Sequence, residues 1–376
     1  MKSQLLPEGF RDSLPDLAVK EEKINSFFIN LMKKNGYLLV RPPLLEFESS
    51  LFFLLEDNND KNSFRVLDPI SQKMMGIRSD ITLQIARIAC GSLANYPRPL
   101  RLCYSGEILK VNNNSLNLSR QEKQIGSEII GIGNKNCENQ VLTMIFEILN
   151  KLKIKSFVIN FTMPTLINAI SKDFNLSKNQ IEFIKNNFRN KNALGLGKIS
   201  KKLEVAAKYL LDCVGDASEN LKKLKKKKFT KNISFEVSNF IKIITRILKD
   251  FPNMKILIDP LEIDESNYHT GLAFKVFSKS FKELFTGGNY SVSNENCIGF
   301  SGYIESLIKE SKIIYEKQKK IFIPFDLSEE KKKNLQTKNY ITLQAIKPLN
   351  KNQLIENAKI FKCSYYYENR KVIKLD

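Results

Sequence analysis

Apolar and polar positions along the first 163 residues alternate between two periods. In "PDLAVKEEKINSFFINLMKKN", residues 15–35, Leu17, Ala18, Ile24, Phe27, Phe28 and Leu31 have helical spacing, and Asn35-Gly36 closes the run. "YLLVRPPLLEF" reads as a strand entering a proline break. "SFRVLDPISQKMMGIRSD" predicts two strands with a turn near Ser71. "ITLQIARIACGSLANY" is an amphipathic helix, "PLRLCYSGEILKV" a strand and "NNNSLNLS" a polar loop. "RQEKQIGSEIIGIG" is the next strand, "NCENQVLTMIFEILNKLKI" a helix, and "SFVINFT" another strand. The order predicts an α+β fold with antiparallel strands and not a βαβ repeat.

The period changes after residue 163. "LINAISKDF", "SKNQIEFIKNNF", "SKKLEVAAKYLLDCVG" and "SFEVSNFIKIITRILKDF" are all helical, so 164–253 reads as a helical insertion. "NLKKLKKKKFTKN" is expected to be a solvated, charged loop. Strands return with "MKILIDPLEI" and "YHTGLAFKVFS", followed by "TGGNY" as a strand-joining turn and "NCIGFSGYIESLIKES" as a strand entering a helix. Residues 1–163 and 254–315 then form one core. Residues 316–376 form a small C-terminal α/β unit, with strands at "KIFIPFD" and "YITLQAI", helices near 328–335 and 351–361, and "CSYYYENRKVIKL" at the end.

Composition narrows the function classes. A chain of 376 residues needs two or three domains. The formal charge of +20 invites a nucleic-acid partner, but the lysines are dispersed and no aromatics are interleaved with them as a stacking platform. The six cysteines, at 90, 103, 137, 213, 297 and 363, contain no close pair, which argues against a zinc site. His269 is the sole histidine, so a histidine-rich metal site is excluded. Neither a signal-peptide run nor a membrane span is visible, and a reduced, cytoplasmic protein is expected. There is no Walker A, G-x-G-x-x-G or G-x-S-x-G motif, and no cofactor is expected.

Three segments carry polar alternation. Arg78, Asp80 and Thr82 share a face if "RSDIT" is extended. Arg101, Cys103, Ser105 and Glu107 share one in the following strand. Glu122, Gln124, Gly126 and Glu128 share one in "RQEKQIGSEIIG". Any one of these suits a solvent-facing sheet. Together they suit a floor for a zwitterion, with carboxylates to hold an ammonium, an amide to orient it and a glycine to keep the floor low.

These segments resemble, in order, the histidyl-tRNA synthetase-like family. "LLPEGFRDSLP", "GYLLVRPPLLEF", "FRVLDPISQKMMGIRSDITLQIAR", "RPLRLCYSGEIL", "RQEKQIGSEIIG", "DPLEIDESNYHTGLAF" and "TGGNY…CIGFSGYIESL" carry the likeness. It is strongest to the non-synthetase branch, the regulatory subunits of ATP phosphoribosyltransferase. The resemblance implies a class II synthetase core, with an antiparallel sheet flanked by helices and a dimer formed around "PPLLEF". It places Asp80 and Thr82 at the ammonium of a bound histidine, Gln124 and Glu128 on the floor of that site, and Tyr268 and His269 as an aromatic pair over it.

The departures matter as much. The arginine that precedes the paired tyrosines in synthetases falls at Asp264, and the arginine that holds the ATP α-phosphate falls near Lys110. The adenine-packing arginine has no counterpart, since Glu305 and Ser306 occupy that stretch. Each lost donor costs about 2.7–4 kcal/mol in comparable sites, so amino-acid activation is not expected. The C-terminal unit is short for an anticodon-binding domain, which makes tRNA an unlikely partner.

The resemblance therefore implies a non-catalytic regulatory subunit with no catalytic residues and no metal. Its expected partner is a short-form catalytic subunit of ATP phosphoribosyltransferase, in a hetero-oligomer within which this chain dimerises. Its expected ligand is L-histidine, the feedback signal of the pathway whose first step that enzyme performs. The alternative is a divergent histidyl-tRNA synthetase. An RNA-binding module using the basic insertion ranks last.

Overall fold

In a computed structural model the described residues are 5–52, 63–111, 119–132, 137–263, 269–312 and 319–375. The chain forms two compact units, Met1–Lys312 and Ile313–Asp376.

The first unit opens with α1 (Pro15–Lys34), which has proline in its first turn, Lys33 and Lys34 in its last, and Ile24, Phe28, Leu31 and Met32 buried. Next come β1 (Leu38–Leu39), β2 (Leu45–Phe47), α2 (Glu48–Leu51), β3 (Arg65–Leu67), β4 (Met74–Ile77) and α3 (Thr82–Cys90). The two long strands β5 (Leu100–Leu109) and β6 (Gln121–Ile130) follow, then α4 (Glu138–Lys151) and β7 (Phe157–Thr162). Between β7 and β9 (Ile256–Asp259) lie α5 (Leu166–Phe174), α6 (Lys178–Arg189), α7 (Lys201–Leu211), the short β8 (Gly215–Asp216), α8 (Ala217–Lys226) and α9 (Lys231–Asp250). The unit closes with β10 (His269–Ser278), β11 (Glu283–Val292), β12 (Glu295–Tyr303) and α10 (Ile304–Glu310).

A nine-stranded sheet, in the order β1-β5-β6-β12-β11-β10-β7-β9-β8, organises this unit. Its centre is antiparallel. The pairs β1–β5 and β7–β9 are parallel, so the sheet is mixed. Strands β2, β4 and β3 form a separate small sheet. The second unit holds β13 (Lys319–Ile323), α11 (Glu329–Thr337), β14 (Tyr340–Gln344), α12 (Lys351–Ile360), β15 (Tyr365–Glu368) and β16 (Lys371–Lys374), in the sheet order β14-β13-β15-β16. Alternate residues of β13 feed two small cores, Ile321 and Ile323 with Leu335 of α11, and Phe322 with Leu354 and Ala358 of α12.

Three expectations are corrected. Residues 220–226 of the lysine run form the body of α8 and are not a loop. Ala217, Asn220, Leu221 and Leu224 supply a buried helical stripe, Asp216 Oδ1 caps the Glu219 N–H at 3.2 Å, and the lysines between them face outward. "TGGNY" is not a turn but the middle of β11, laddered to β10 on one side and β12 on the other. Gly287 is required by close approach, since a Cβ there would come within 2.3 Å of the Gly299 carbonyl. "RSDIT" is not a strand. β4 ends at Ile77, Arg78 turns inward to donate to the Glu107 and Pro42 carbonyls (2.7 and 2.8 Å), and Asp80 Oδ1 accepts from the Thr82 N–H at 2.8 Å as α3 begins. No helix among the described residues is long and apolar enough to cross a membrane.

Candidate functional site: a buried polar floor

Residues directly opposite in antiparallel strands share a side of the sheet. The register Leu102↔Glu128, Tyr104↔Gly126, Gly106↔Gln124 and Ile108↔Glu122 therefore fixes the company of the Gln-x-Gly-x-Glu row. Its neighbours are Tyr104 and Gly106. Arg101, Cys103, Ser105 and Glu107 lie on the other side with Ile125, Ser127 and Ile129, which corrects the expectation that both polar rows build one floor. On its far side β6 meets β12, which brings Gly299, Ser301 and Tyr303 to the floor. β11 adds Thr286, Gly288 and Tyr290, and β10 adds His269 opposite Tyr290.

Glu122, Gln124 and Glu128 are all buried. Gln124 is fully engaged. Its Oε1 accepts from the Ile81 N–H at 2.9 Å, and its Nε2 donates to Asp80 Oδ1 at 3.1 Å, locking the start of α3 onto the sheet. Thr82 Oγ1 bonds the Tyr104 hydroxyl at 2.9 Å, and that hydroxyl reaches Glu128 Oε1 at 3.4 Å. Tyr104 lies flat over Gly126, where a Cβ would come within 2.3 Å of its oxygen. Glu128 lies over Gly299, where a Cβ would come within 1.7 Å of Oε2. Glu128 Oε2 is buried without a hydrogen-bond partner of normal geometry among the described residues. Burial pushes the Glu128 carboxyl up to about 8, with the hydroxyl of Tyr290 opposing and the charge of Asp80 assisting. It is therefore largely protonated near neutral pH, and a cation placed beside it would ionise it.

The structure brings Asp80, Thr82, Gln124, Glu128 and His269 into one site. The cavity over the floor is about 10 Å³, room for one water, and is lined by Thr82, Glu128, His269, Gly288, Gly299 and Ser301 among others. The His269 ring stands over Gly288: its Cδ2 is 2.7 Å from where a Cβ of Gly288 would be. Tyr268 and Asp264 lie outside the described residues. Tyr104, Tyr290, Gly299 and Ser301 were not singled out from the sequence. Tyr104 becomes legible only through its pairing with Gly126.

At the other end of the row Lys110, directly after β5, faces Glu122 at the start of β6. Lys110 Nζ donates to the Tyr303 hydroxyl at 2.7 Å, sits 4.3 Å from that ring's centroid, and lies 3.7 Å from Glu122 Oε2. Burial alone would lower the lysine's pKa, but Tyr303 and Glu122 outweigh it, so the ammonium is held charged. Glu305 Oε1 stands 2.6 Å from both Arg11 Nη2 and Lys309 Nζ, and Ser306 is half-buried in α10. Burial raises the Glu305 pKa, yet Lys309 and Arg11 together bring it below the usual range.

The sequence profile described as histidyl-tRNA synthetase matches residues 9–307. An ATP phosphoribosyltransferase regulatory subunit of Paramagnetospirillum magneticum is 31% identical over 306 residues, covering 81% of each chain. The chain belongs to the histidyl-tRNA synthetase-like family, in the branch of ATP phosphoribosyltransferase regulatory subunits. Another member of the branch, from Rhodospirillum rubrum, is 28% identical over 347 residues, 91% of this chain and 90% of that one. The family's class II fold is shared with a solved regulatory subunit/histidyl-tRNA synthetase from Bacillus halodurans, at TM-score 0.80 and 19% identity over 95% of this chain and 97% of that one. It is shared too with the histidyl-tRNA synthetase of Nostoc sp. PCC 7120, at TM-score 0.73 and 16% identity over 97% and 91%.

Proposed function

We propose that this chain is a non-catalytic regulatory subunit of ATP phosphoribosyltransferase. It activates a short-form catalytic subunit in a cytoplasmic hetero-oligomer and makes that activity responsive to L-histidine. The observation that carries the reading is the relationship to regulatory subunits along most of both chains. The site supports it from both ends. The floor keeps a buried carboxylate with spare acceptor capacity, suited to an ammonium, while Lys110 is bound to Tyr303 and Glu122 and offers no open phosphate grip.

Histidine acts through differential affinity for two assembly states. The open space over the floor is about 10 Å³, so a ligand larger than water requires the lining side chains to move, and the occupied floor differs in shape from the empty one. Asp80 and Thr82 meet the ligand's ammonium beside Glu128, and Tyr268 with His269 covers its ring.

Reconstitution tests the reading. Adding the chain to a short-form catalytic subunit is expected to raise phosphoribosyl transfer to ATP at least tenfold, and L-histidine is expected to suppress the gain. No stimulation would overturn the regulatory reading. Stimulation without histidine sensitivity would remove the floor as sensor. Histidine-dependent exchange of pyrophosphate into ATP by this chain alone would favour a divergent synthetase instead.

A further inference from the structure

The helical insertion carries a second and larger cavity, about 450 Å³, formed wholly by described residues. Phe174 at the end of α5, Val205 and Ala206 on α7, and Phe229 beyond α8 give it an apolar floor. Lys201, Lys202, Lys227 and Lys228 stand around the rim. The stretch 200–230 holds nine lysines against four acids. Two of those acids are engaged elsewhere: Glu204 pairs with Lys208 at 2.7 Å, and Asp216 caps α8. Lys201, Lys202 and Lys228 form no ion pair with any described carboxylate, and Lys227 rests over the Tyr209 ring at 5.1 Å.

The cleft is built in advance. Asp173, at the end of α5, accepts from Thr230 Oγ1 and from the backbone N–H groups of Asn232 and Ile233 (2.9–3.0 Å for the latter two). One carboxylate thus fixes the segment bearing Lys227, Lys228 and Phe229 against the start of α9. Phe229 meets Tyr209 in a T-shaped contact with ring centroids 6.2 Å apart, which fixes its ring in the cleft wall. Val205 remains 55% exposed on the floor. An apolar cup of this size inside a cationic ring fits one or two large apolar side chains flanked by carboxylates. A tracked phosphate backbone needs a stripe of cations, whereas these four lysines surround one cup.

We propose that this cleft docks an acidic segment of the catalytic subunit, with a bulky apolar residue seated between Lys201, Lys202, Lys227 and Lys228. The docking rests on the regulatory reading above and assigns the basic insertion its role in that complex. The lysine ring speeds and steers encounter, and the apolar cup sets the register.

Binding of the full-length chain to the short-form catalytic subunit is measured by titration calorimetry at low and high salt. Lys201→Glu/Lys228→Glu is expected to weaken association at least tenfold and to flatten its salt dependence. Lys201→Gln/Lys228→Gln is expected to give an intermediate loss, and Val205→Asp, at an exposed site, to weaken association as well. Lys331→Glu/Lys371→Glu on the second unit is expected to change affinity less than twofold. No association by the unaltered chain overturns both this docking and the regulatory reading. Normal association with unchanged affinity in the charge-reversed chain overturns the docking alone. Loss of binding to a transfer RNA probe, with subunit binding intact, would reassign the cleft to nucleic acid and overturn it equally.

Discussion

The two ends of β6 lie on the same face of the same sheet and behave oppositely. Around Gly126 the glycines let Tyr104 and Glu128 lie flat, and Glu128 Oε2 has no hydrogen bond of normal geometry among the described residues. Around Glu122 every charge is answered, because Lys110 is held between a carboxylate and a phenol. A buried carboxyl that lacks a counter-charge carries a desolvation cost, and such a cost persists where a ligand relieves it. A cation already hydrogen-bonded and paired has little to gain from a phosphate. The strand thus ends on one side in a buried carboxyl without a counter-charge and on the other in a closed ion pair.

The contrast breaks most severely at Gly126. Gly126→Ala drives a methyl into the Tyr104 oxygen and to within 2.7 Å of the Phe300 carbonyl, and is expected to destabilise the chain by about 3 kcal/mol in urea unfolding. Next is Glu128→Gln, which keeps the shape but cannot ionise. Calorimetry is expected to show L-histidine binding weakened about 10- to 100-fold, with little loss of stability at pH 6, where the native carboxyl is already neutral.

The same residue predicts a pH dependence. The folded carboxyl titrates near 8 and the unfolded one near 4.5, so the unfolded chain ionises first. Its contribution to stability is fully present below about 4.5, declines as pH rises, and levels off above about 8. Thermal unfolding between pH 5 and 9 is expected to show this decline in the native chain and its loss in Glu128→Gln. His269→Ala removes the ring that stands over Gly288 and is expected to weaken L-histidine binding several-fold in calorimetry; unchanged binding would remove the ring from the ligand's contacts. The smallest effect is expected from Tyr303→Phe, which removes one hydrogen bond at the closed end, at about 1 kcal/mol in stability and less than twofold in histidine affinity.

Much of this was legible in the chain. Element types followed from period wherever one face was apolar, as in α1, α9, β10 and β12. The reading failed where local chemistry overrode period. In α8 the buried stripe is hidden by lysines, and Thr82 opens a helix because Asp80 caps it. In β11 paired glycines mimic a turn but serve close strand approach. The site was legible as a set of residue types on β6, and Asp80, Thr82 and His269 do gather there. Its tyrosines were not, because a tyrosine on a strand has the same sequence signature whichever side it faces.

The sequence by itself determined the family and the strand bearing Gln124, Gly126 and Glu128, because each depends on residue identity at a local spacing. Only the tertiary structure decided that β5 offers Tyr104 and not Arg101 to the floor, that Lys110 is already bound to Tyr303 and Glu122, and that His269 stands over Gly288. Those facts depend on register between strands far apart in the chain, and a one-residue shift in register would have turned each of those side chains to the other face.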